Sequence, residues 1–245
     1  MPPTWRYIPL IKGPAWLQMA LDHWLLEQHQ QGNHPPTLRF YTWEPAAISL
    51  GYHQRQWPQF WSELCWQGQP VDLVRRPTGG RAVLHQGDLT YAVVLSGLSG
   101  SRMEAYQQIC EFLIQGWRSL GVELHYGQAG RGYIHHPNCF GTATVADLVL
   151  PDGAKLIGSA QLRRGTAILQ HGSIRLQPDA KLFRQVFGEA PFLPQLPLDV
   201  QRLPLEAVVT VLQQAAIQTF GIELQEQPLS PLEETALTSD RQPGC

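Results

Sequence analysis

Lysine is scarce in this 245-residue chain: Lys12, Lys155 and Lys181 are the only three, and every other basic residue is arginine. A lysine inside a motif therefore stands out. Bases and acids number 18 and 20, and the net charge of −2 leaves no overall basic footprint of the kind a nucleic-acid partner calls for. Charged residues are 16% of the chain, too few for long solvated tails. No apolar run approaches the roughly 20 residues of a bilayer span, so no membrane partner is expected. The N-terminus, Met1-Pro2-Pro3-Thr4-Trp5-Arg6, lacks the apolar core and small-residue cleavage site of a signal peptide. Cysteine is limited to Cys65, Cys110, Cys139 and Cys245, with no CxxC pair. That excludes the common zinc patterns and gives no sign of a secreted disulfide scaffold. A reduced, cytoplasmic setting is the expectation. No heptad seam is visible, and a monomer is expected.

What is present is a chain able to bury a large core, 43% hydrophobic, in which helical and strand-like patterns interleave. Leu17, Ala20, Leu21, Trp24 and Leu25 form one stripe and predict a helix over 14–29. Residues 38–43, 47–50, 71–76 and 89–95 read as strands, and 58–66 as a short helix. Met103, Tyr106, Cys110, Leu113 and Trp117 share a face and predict an amphipathic helix over 102–119, with Cys110 as a buried core thiol. Residues 145–150 and 155–160 flank Pro151-Asp152-Gly153 and predict a β-hairpin, with a further strand over 166–176. Helices are expected over 179–188 and 204–219, separated by a proline-rich stretch. One catalytic domain, 1–225, and a poorly ordered tail, 226–245, complete the division. The fold class is α+β: a mixed, largely antiparallel sheet flanked by helices.

Four segments could carry chemistry. Arg75-Arg76-Pro77-Thr78-Gly79-Gly80-Arg81, followed by His85, joins two strands. Its glycines permit close approach of backbone N–H groups to a ligand, and its arginines could balance an anion. It matches neither a P-loop nor a dinucleotide fingerprint, and a tight turn explains the glycines equally well. Cys139 lies in Pro137-Asn138-Cys139-Phe140-Gly141, in loop-like surroundings. A free thiol titrates near pH 8.5, so a nucleophilic role needs roughly 2 kcal/mol of thiolate stabilisation to lower that by about 1.5 units. Lys155 opens the second hairpin strand, Lys155-Leu156-Ile157-Gly158-Ser159-Ala160-Gln161, whose small residues leave room beside the backbone. It could be the cation that Cys139 needs, or an ordinary strand lysine. Leu169-Gln170-His171-Gly172-Ser173 holds a histidine that could act as a base or as a structural hydrogen-bonding group, and the same alternatives stand for His85. His135-His136 has no ligand set at metal spacing, and no metal is expected.

Taken jointly, LRFYTWEPAAISLGYHQ (38–54), RRPTGGRAVLHQGDLTYAV (75–93) and KLIGSAQLRRGTAILQHGSI (155–174) resemble the biotin/lipoate protein ligase superfamily, in its order and spacing, over about residues 14–190. Within it the chain is most similar to the LipM-type octanoyltransferase branch, because Cys139 precedes the Lys155 hairpin and Gly79-Gly80 is followed by Arg81. Gln18 and Gln86 depart from residues frequent at those positions in the family. The resemblance implies a class II biotin/lipoyl synthetase-like fold with an acyl tunnel. It implies Cys139 and Lys155 as catalytic residues. Arg75, Arg76, Thr78, Gly79, Gly80, Arg81 and His85 would form one wall of the substrate pocket, and Gly158, Ser159, Ala160, Gln161, His171 and Gly172 the other. It implies transfer of octanoyl from acyl carrier protein to a lysine of a lipoyl-type domain, such as the glycine cleavage H protein or a 2-oxoacid dehydrogenase E2, with no cofactor and no ATP. On this reading, replacing Lys155 by alanine should slow the first step with little effect on melting temperature. The alternatives are an ATP-dependent lipoate ligase, an octanoyl amidotransferase between carrier proteins, and a binding module without turnover.

Overall fold

The computed structural model describes residues 1–127, 146–188 and 193–239. Strand β1 (Thr4–Gly13) leads into helix α1 (Ala15–Gln30), then β2 (Thr37–Trp43) and β3 (Ala47–Leu50). A 3-10 turn (Gln59–Glu63) precedes the small hairpin β4 (Cys65–Trp66) and β5 (Gln69–Pro70), followed by β6 (Asp72–Arg75), β7 (Val83–His85) and β8 (Asp88–Ser96). Helix α2 (Arg102–Ser119) and β9 (His125–Tyr126) come next, then β10 (Leu148–Val149), β11 (Lys155–Arg164) and β12 (Ala167–Arg175). The chain closes with α3 (Ala180–Phe187), α4 (Leu198–Gln201), α5 (Leu205–Phe220), β13 (Glu223–Glu226) and α6 (Pro231–Ser239).

Eight strands form one sheet in the order β13-β1-β2-β8-β12-β11-β10-β9. Its β13–β1 and β1–β2 pairings are parallel and the remainder antiparallel, so the sheet is mixed, as expected. Alternation along the central strands sends side chains to two cores. Phe40, Tyr91 and Val93 face the layer of α2 and α5, whereas Tyr41, Ala92 and Val94 face that of α1 and α6. A capping box starts α2: Ser101 accepts from the Glu104 N–H, and the Glu104 carboxylate accepts from the Ser101 N–H. Gly116 lets α2 and α5 touch, since a Cβ there would lie 2.7 Å from Leu212 Cδ2. A second, three-stranded sheet, β6-β3-β7, packs with the 3-10 turn and α3 around Trp61, whose indole N–H donates to the Val186 carbonyl at 3.0 Å.

Most predicted elements are present within a residue or two. The short elements β4, β5, β7, β9 and α4 are additions, as are β1, β13 and α6. Strand β1 carries Pro9 and reads poorly as a sheet member; the proline is accommodated where the β1–β2 register shifts between Ile8 and Ile11. Where a loose tail from 226 was expected, β13 pairs with β1 and α6 packs against α1 with Leu237 buried. The fully buried Arg6 holds this segment by donating to both carboxylate oxygens of Glu233, at 2.6 and 3.0 Å, and to the carbonyls of Gln227 and Pro228. The expected helix over 58–66 is only a 3-10 turn, broken at Leu64 by the β4–β5 hairpin. The predicted hairpin is shorter than expected on its first arm: β10 pairs with β11 only through Leu148–Ile157 and Val149–Lys155.

Candidate active site

Strands β11 and β12 carry the first wall. The pairing Ser159–Gly172 and Ala160–His171 sets their alternation: Ser159, Gln161, Gln170 and Gly172 lie on the α2 side, and Ala160, His171 and Ser173 on the α1 side. Gly172 has no room for a side chain, because a Cβ would sit 2.7 Å from Ser159 Oγ and from the Tyr91 ring. The second wall is the loop between β6 and β7. Arg76 is buried there and spends its guanidinium on carbonyls: Ser49 at 2.8 Å, Gly79 at 2.9 Å and Arg81 at 2.7 Å. Gly51 supports the loop from below, where any Cβ would collide with the Gly80 carbonyl oxygen at 1.8 Å.

Between the walls lies a cavity of about 230 Å³. Gly79, Gly80, Gly158 and Gly172 keep its backbone walls bare, and Met19, Trp43 and Val83 supply apolar surface. The first turns of α2 contribute Arg102 and Tyr106 to the lining, and Asp147 belongs to it too.

Two buried histidines line the cavity, and both nitrogens of each ring are engaged. Nδ1 of His171 lies 2.6 Å from Asp22 Oδ2, and its Nε2 lies 2.7 Å from Thr78 Oγ1. Nδ1 of His85 lies 2.8 Å from Asp88 Oδ2, and its Nε2 lies 2.8 Å from Ser49 Oγ. The Trp43 ring stacks on His85 at 3.9 Å. Burial holds the His85 pKa below its ordinary 6.5, outweighing the opposing carboxylate of Asp88. Both rings are thus fixed in the wall by hydrogen bonds on either side. Behind His171 the network continues: Tyr41 donates to Asp22 at 2.8 Å, Arg39 lies 3.3 Å from the same carboxylate, and Gln18 accepts from Arg39 at 2.6 Å. Gln18 also donates to the Ile11 and Thr42 carbonyls, so the departure at this position is built into the α1–sheet joint.

Lys155 is buried, and its ammonium lies 3.0 Å from Asp147 Oδ2. Asp147 is itself buried and lines the cavity, so the two charges share one poorly hydrated place, whereas Lys155 is not among the cavity's lining residues. Cys139, with His135 and His136, lies outside the described residues. Cys110 is a core thiol as expected; burial pushes its pKa up to about 12, and Gln170 donates to its sulfur at 3.3 Å. Ten of the predicted pocket residues do line the cavity: Arg76, Gly79, Gly80, His85, Gly158, Ser159, Ala160, Gln161, His171 and Gly172. Three others support it. Thr78 orients His171. Arg75 donates to the Gly51 and Gln54 carbonyls at 2.9 and 2.7 Å, and its guanidinium lies over the Trp57 ring. Arg81 contributes its carbonyl to Arg76.

Sequence reasoning missed the carboxylates Asp22, Asp88 and Asp147 and the apolar lining Met19 and Trp43. A signal existed for each acid. Asp22 interrupts the apolar face of α1, Asp88 follows His85 by one turn of chain, and Asp147 sits inside the apolar run Val145–Leu150.

This arrangement is shared with known proteins. A T. acidophilum protein described as a lipoate protein ligase, solved with lipoic acid bound, superposes with a TM-score of 0.75 over 98% of this chain and 94% of that one, at 22% identity. A lipoate-protein ligase A bound with ATP gives 0.74 over the same shares, also at 22%. The fold is thus that of the lipoate ligases. Residues 14–220 match the lipoyl protein ligase A/B catalytic domain, and the chain belongs to that family. Among its relatives, octanoyltransferase LipM of Kyrpidia tusciae is 42% identical over 186 residues, 72% of this chain and 67% of that protein. LipM of Bacillus subtilis is 38% identical over 192 residues, 74% and 68% of the two chains.

Proposed function

We propose that this enzyme is an octanoyltransferase of protein lipoylation that carries the acyl group on Cys139. The observation that carries the reading is the buried ion pair of Lys155 with Asp147, a residue that lines the glycine-walled cavity; the two follow Cys139 by 16 and 8 residues in the chain. Similarity to the LipM octanoyltransferases supports the octanoyl group over other acyl chains.

In the first half-reaction the Cys139 thiolate attacks the thioester carbonyl of octanoyl-acyl carrier protein. The carrier's thiolate leaves and takes a proton, and an octanoyl-enzyme thioester remains. In the second, the neutral amine of a lysine on a lipoyl-type domain attacks that thioester, an amide forms, and Cys139 is released. Exchange of a thioester for an amide is downhill, so the route draws on no ATP. The ammonium of Lys155 favours the thiolate and the oxyanion that forms on the carbonyl. Burying about six CH₂ groups at about 0.8 kcal/mol each supplies up to about 5 kcal/mol of chain recognition. Gly79, Gly80, Gly158 and Gly172 give the chain its passage, and His85 and His171 hold the walls.

Incubation with octanoyl-acyl carrier protein should add one octanoyl group to the intact protein. The adduct should be sensitive to hydroxylamine and absent in Cys139→Ala, as read by mass spectrometry. An adduct that survives in Cys139→Ala, or product formed only from free acid with ATP, would sink this reading.

A further inference from the structure

Residues 45–62 and 73–87, which flank the cavity's second wall, contain no aspartate or glutamate. Residues 45–87 together carry Arg55, Arg75, Arg76 and Arg81 against Glu63 and Asp72; Arg76 is buried and Arg75 is half-buried on loop carbonyls, so at the surface Arg55 and the half-exposed Arg81 stand against the exposed Glu63. Of the two acids, Asp72 faces inward, its carboxylate accepting from the Ala15 N–H at 3.0 Å. The loop after β3 is held in place. The Tyr52 N–H donates to the Thr78 carbonyl at 2.8 Å, and Arg75 grips the Gly51 and Gln54 carbonyls while lying over Trp57. The loop presents Tyr52, 52% exposed, and Arg55, and the adjoining 3-10 turn presents Phe60, 48% exposed. Exposed aromatics beside arginine on a rigid support are the composition of an interaction hot spot. The segment adjoins the Gly79–Gly80 wall through the Tyr52–Thr78 hydrogen bond and the close approach of Gly51 to Gly80.

We infer that this aromatic and basic surface docks the acyl donor, an acidic carrier protein, rather than the acceptor domain. The inference rests on the transfer reading above. A donor delivers its thioester on a long arm attached through a phosphodiester, so its body can sit on a surface set back from the cavity, and the phosphate adds negative charge for the arginines. An acceptor lysine has only its own side chain to reach with, so its domain must sit directly over the rim. Opposite charge on the two bodies would raise the encounter rate and make it sensitive to salt.

The test compares two donors with the full-length enzyme, octanoyl-acyl carrier protein and octanoyl-pantetheine, in the variants Arg55→Glu and Tyr52→Ser/Phe60→Ser. Formation of the Cys139 adduct from the carrier protein should fall tenfold or more in kcat/KM, while the rate with octanoyl-pantetheine stays at the unmodified level. The unmodified enzyme should lose rate with the carrier as salt rises, and Arg55→Glu should flatten that dependence. Transfer from preformed octanoyl-enzyme to a lipoyl domain should be unaltered. Equal loss with both donors, no loss with either, or loss confined to the acceptor step each overturns the docking assignment. Failure of the unmodified enzyme to form an adduct with either donor is a different result and overturns the transfer reading itself.

Discussion

At the scale of single residues, Lys155 behaves differently from a surface lysine poised beside a nucleophile. It is buried against Asp147, so its removal takes a charged partner from a buried carboxylate. Breaking a buried pair from one side typically costs about 3–5 kcal/mol. Lys155→Ala should therefore both slow adduct formation and lower the melting temperature, contrary to the small thermal effect expected from sequence. The double variant Lys155→Ala/Asp147→Ala should recover much of the stability without recovering the rate. Recovery of both would show that the lysine's contribution is structural. His85 makes a pH prediction. Its folded pKa lies below the unfolded value of 6.5, chiefly through burial, so the unfolded chain takes up the proton first as pH falls. The stability tied to a neutral His85 is complete above about 6.5 and drains away as pH drops from there through the lowered folded value. The melting temperature measured from pH 8 to 5 should fall on the acid side, and His85→Asn should make that fall shallower.

The elements divide by what holds them. Helix α2 was readable because its apolar stripe is local, as is the Ser101–Glu104 box that the structure shows at its start. Helix α6 was not, because its anchor is Arg6, 227 residues from Glu233. Burial opposes ionisation of Glu233, yet hydrogen bonds from Arg6 and from Ser230 overcome it and hold the pKa at about 2. Its contribution is thus present above the ordinary carboxylate value of 4.5 and is lost only as pH falls through about 2. Glu233→Gln should loosen α6. Amide exchange over residues 231–239 should accelerate, and the melting temperature should drop, because Arg6 is left buried with one charged partner fewer. Unchanged exchange there would mean that Leu237 and its neighbours hold the helix without the ion pair. Strand β1 was also hidden, since Pro9 reads as a break until the register shift that accommodates it is seen.

Across the whole molecule, one sheet separates two helical layers, and the cavity opens where that sheet meets the smaller β6-β3-β7 sheet. The paired strands β11 and β12 bring Ser159 beside Gly172, and the β6–β7 loop brings Gly79 and Gly80 opposite them. Residues some 80 positions apart thus share one wall-to-wall space.

Local pattern in the amino-acid sequence was enough for the principal helices, the central strands, the glycine-bearing loop, the core role of Cys110 and, through joint motifs, the family. Those features depend on neighbours a few residues away, or on residue types that only one chemistry combines. Tertiary structure alone decided that His171 leans on Asp22, that His85 leans on Asp88, that Lys155 pairs with Asp147, and that Arg76 serves carbonyls. Each of these is a buried polar group whose partner is chosen by which surfaces meet in space, and no periodicity along the chain encodes that choice.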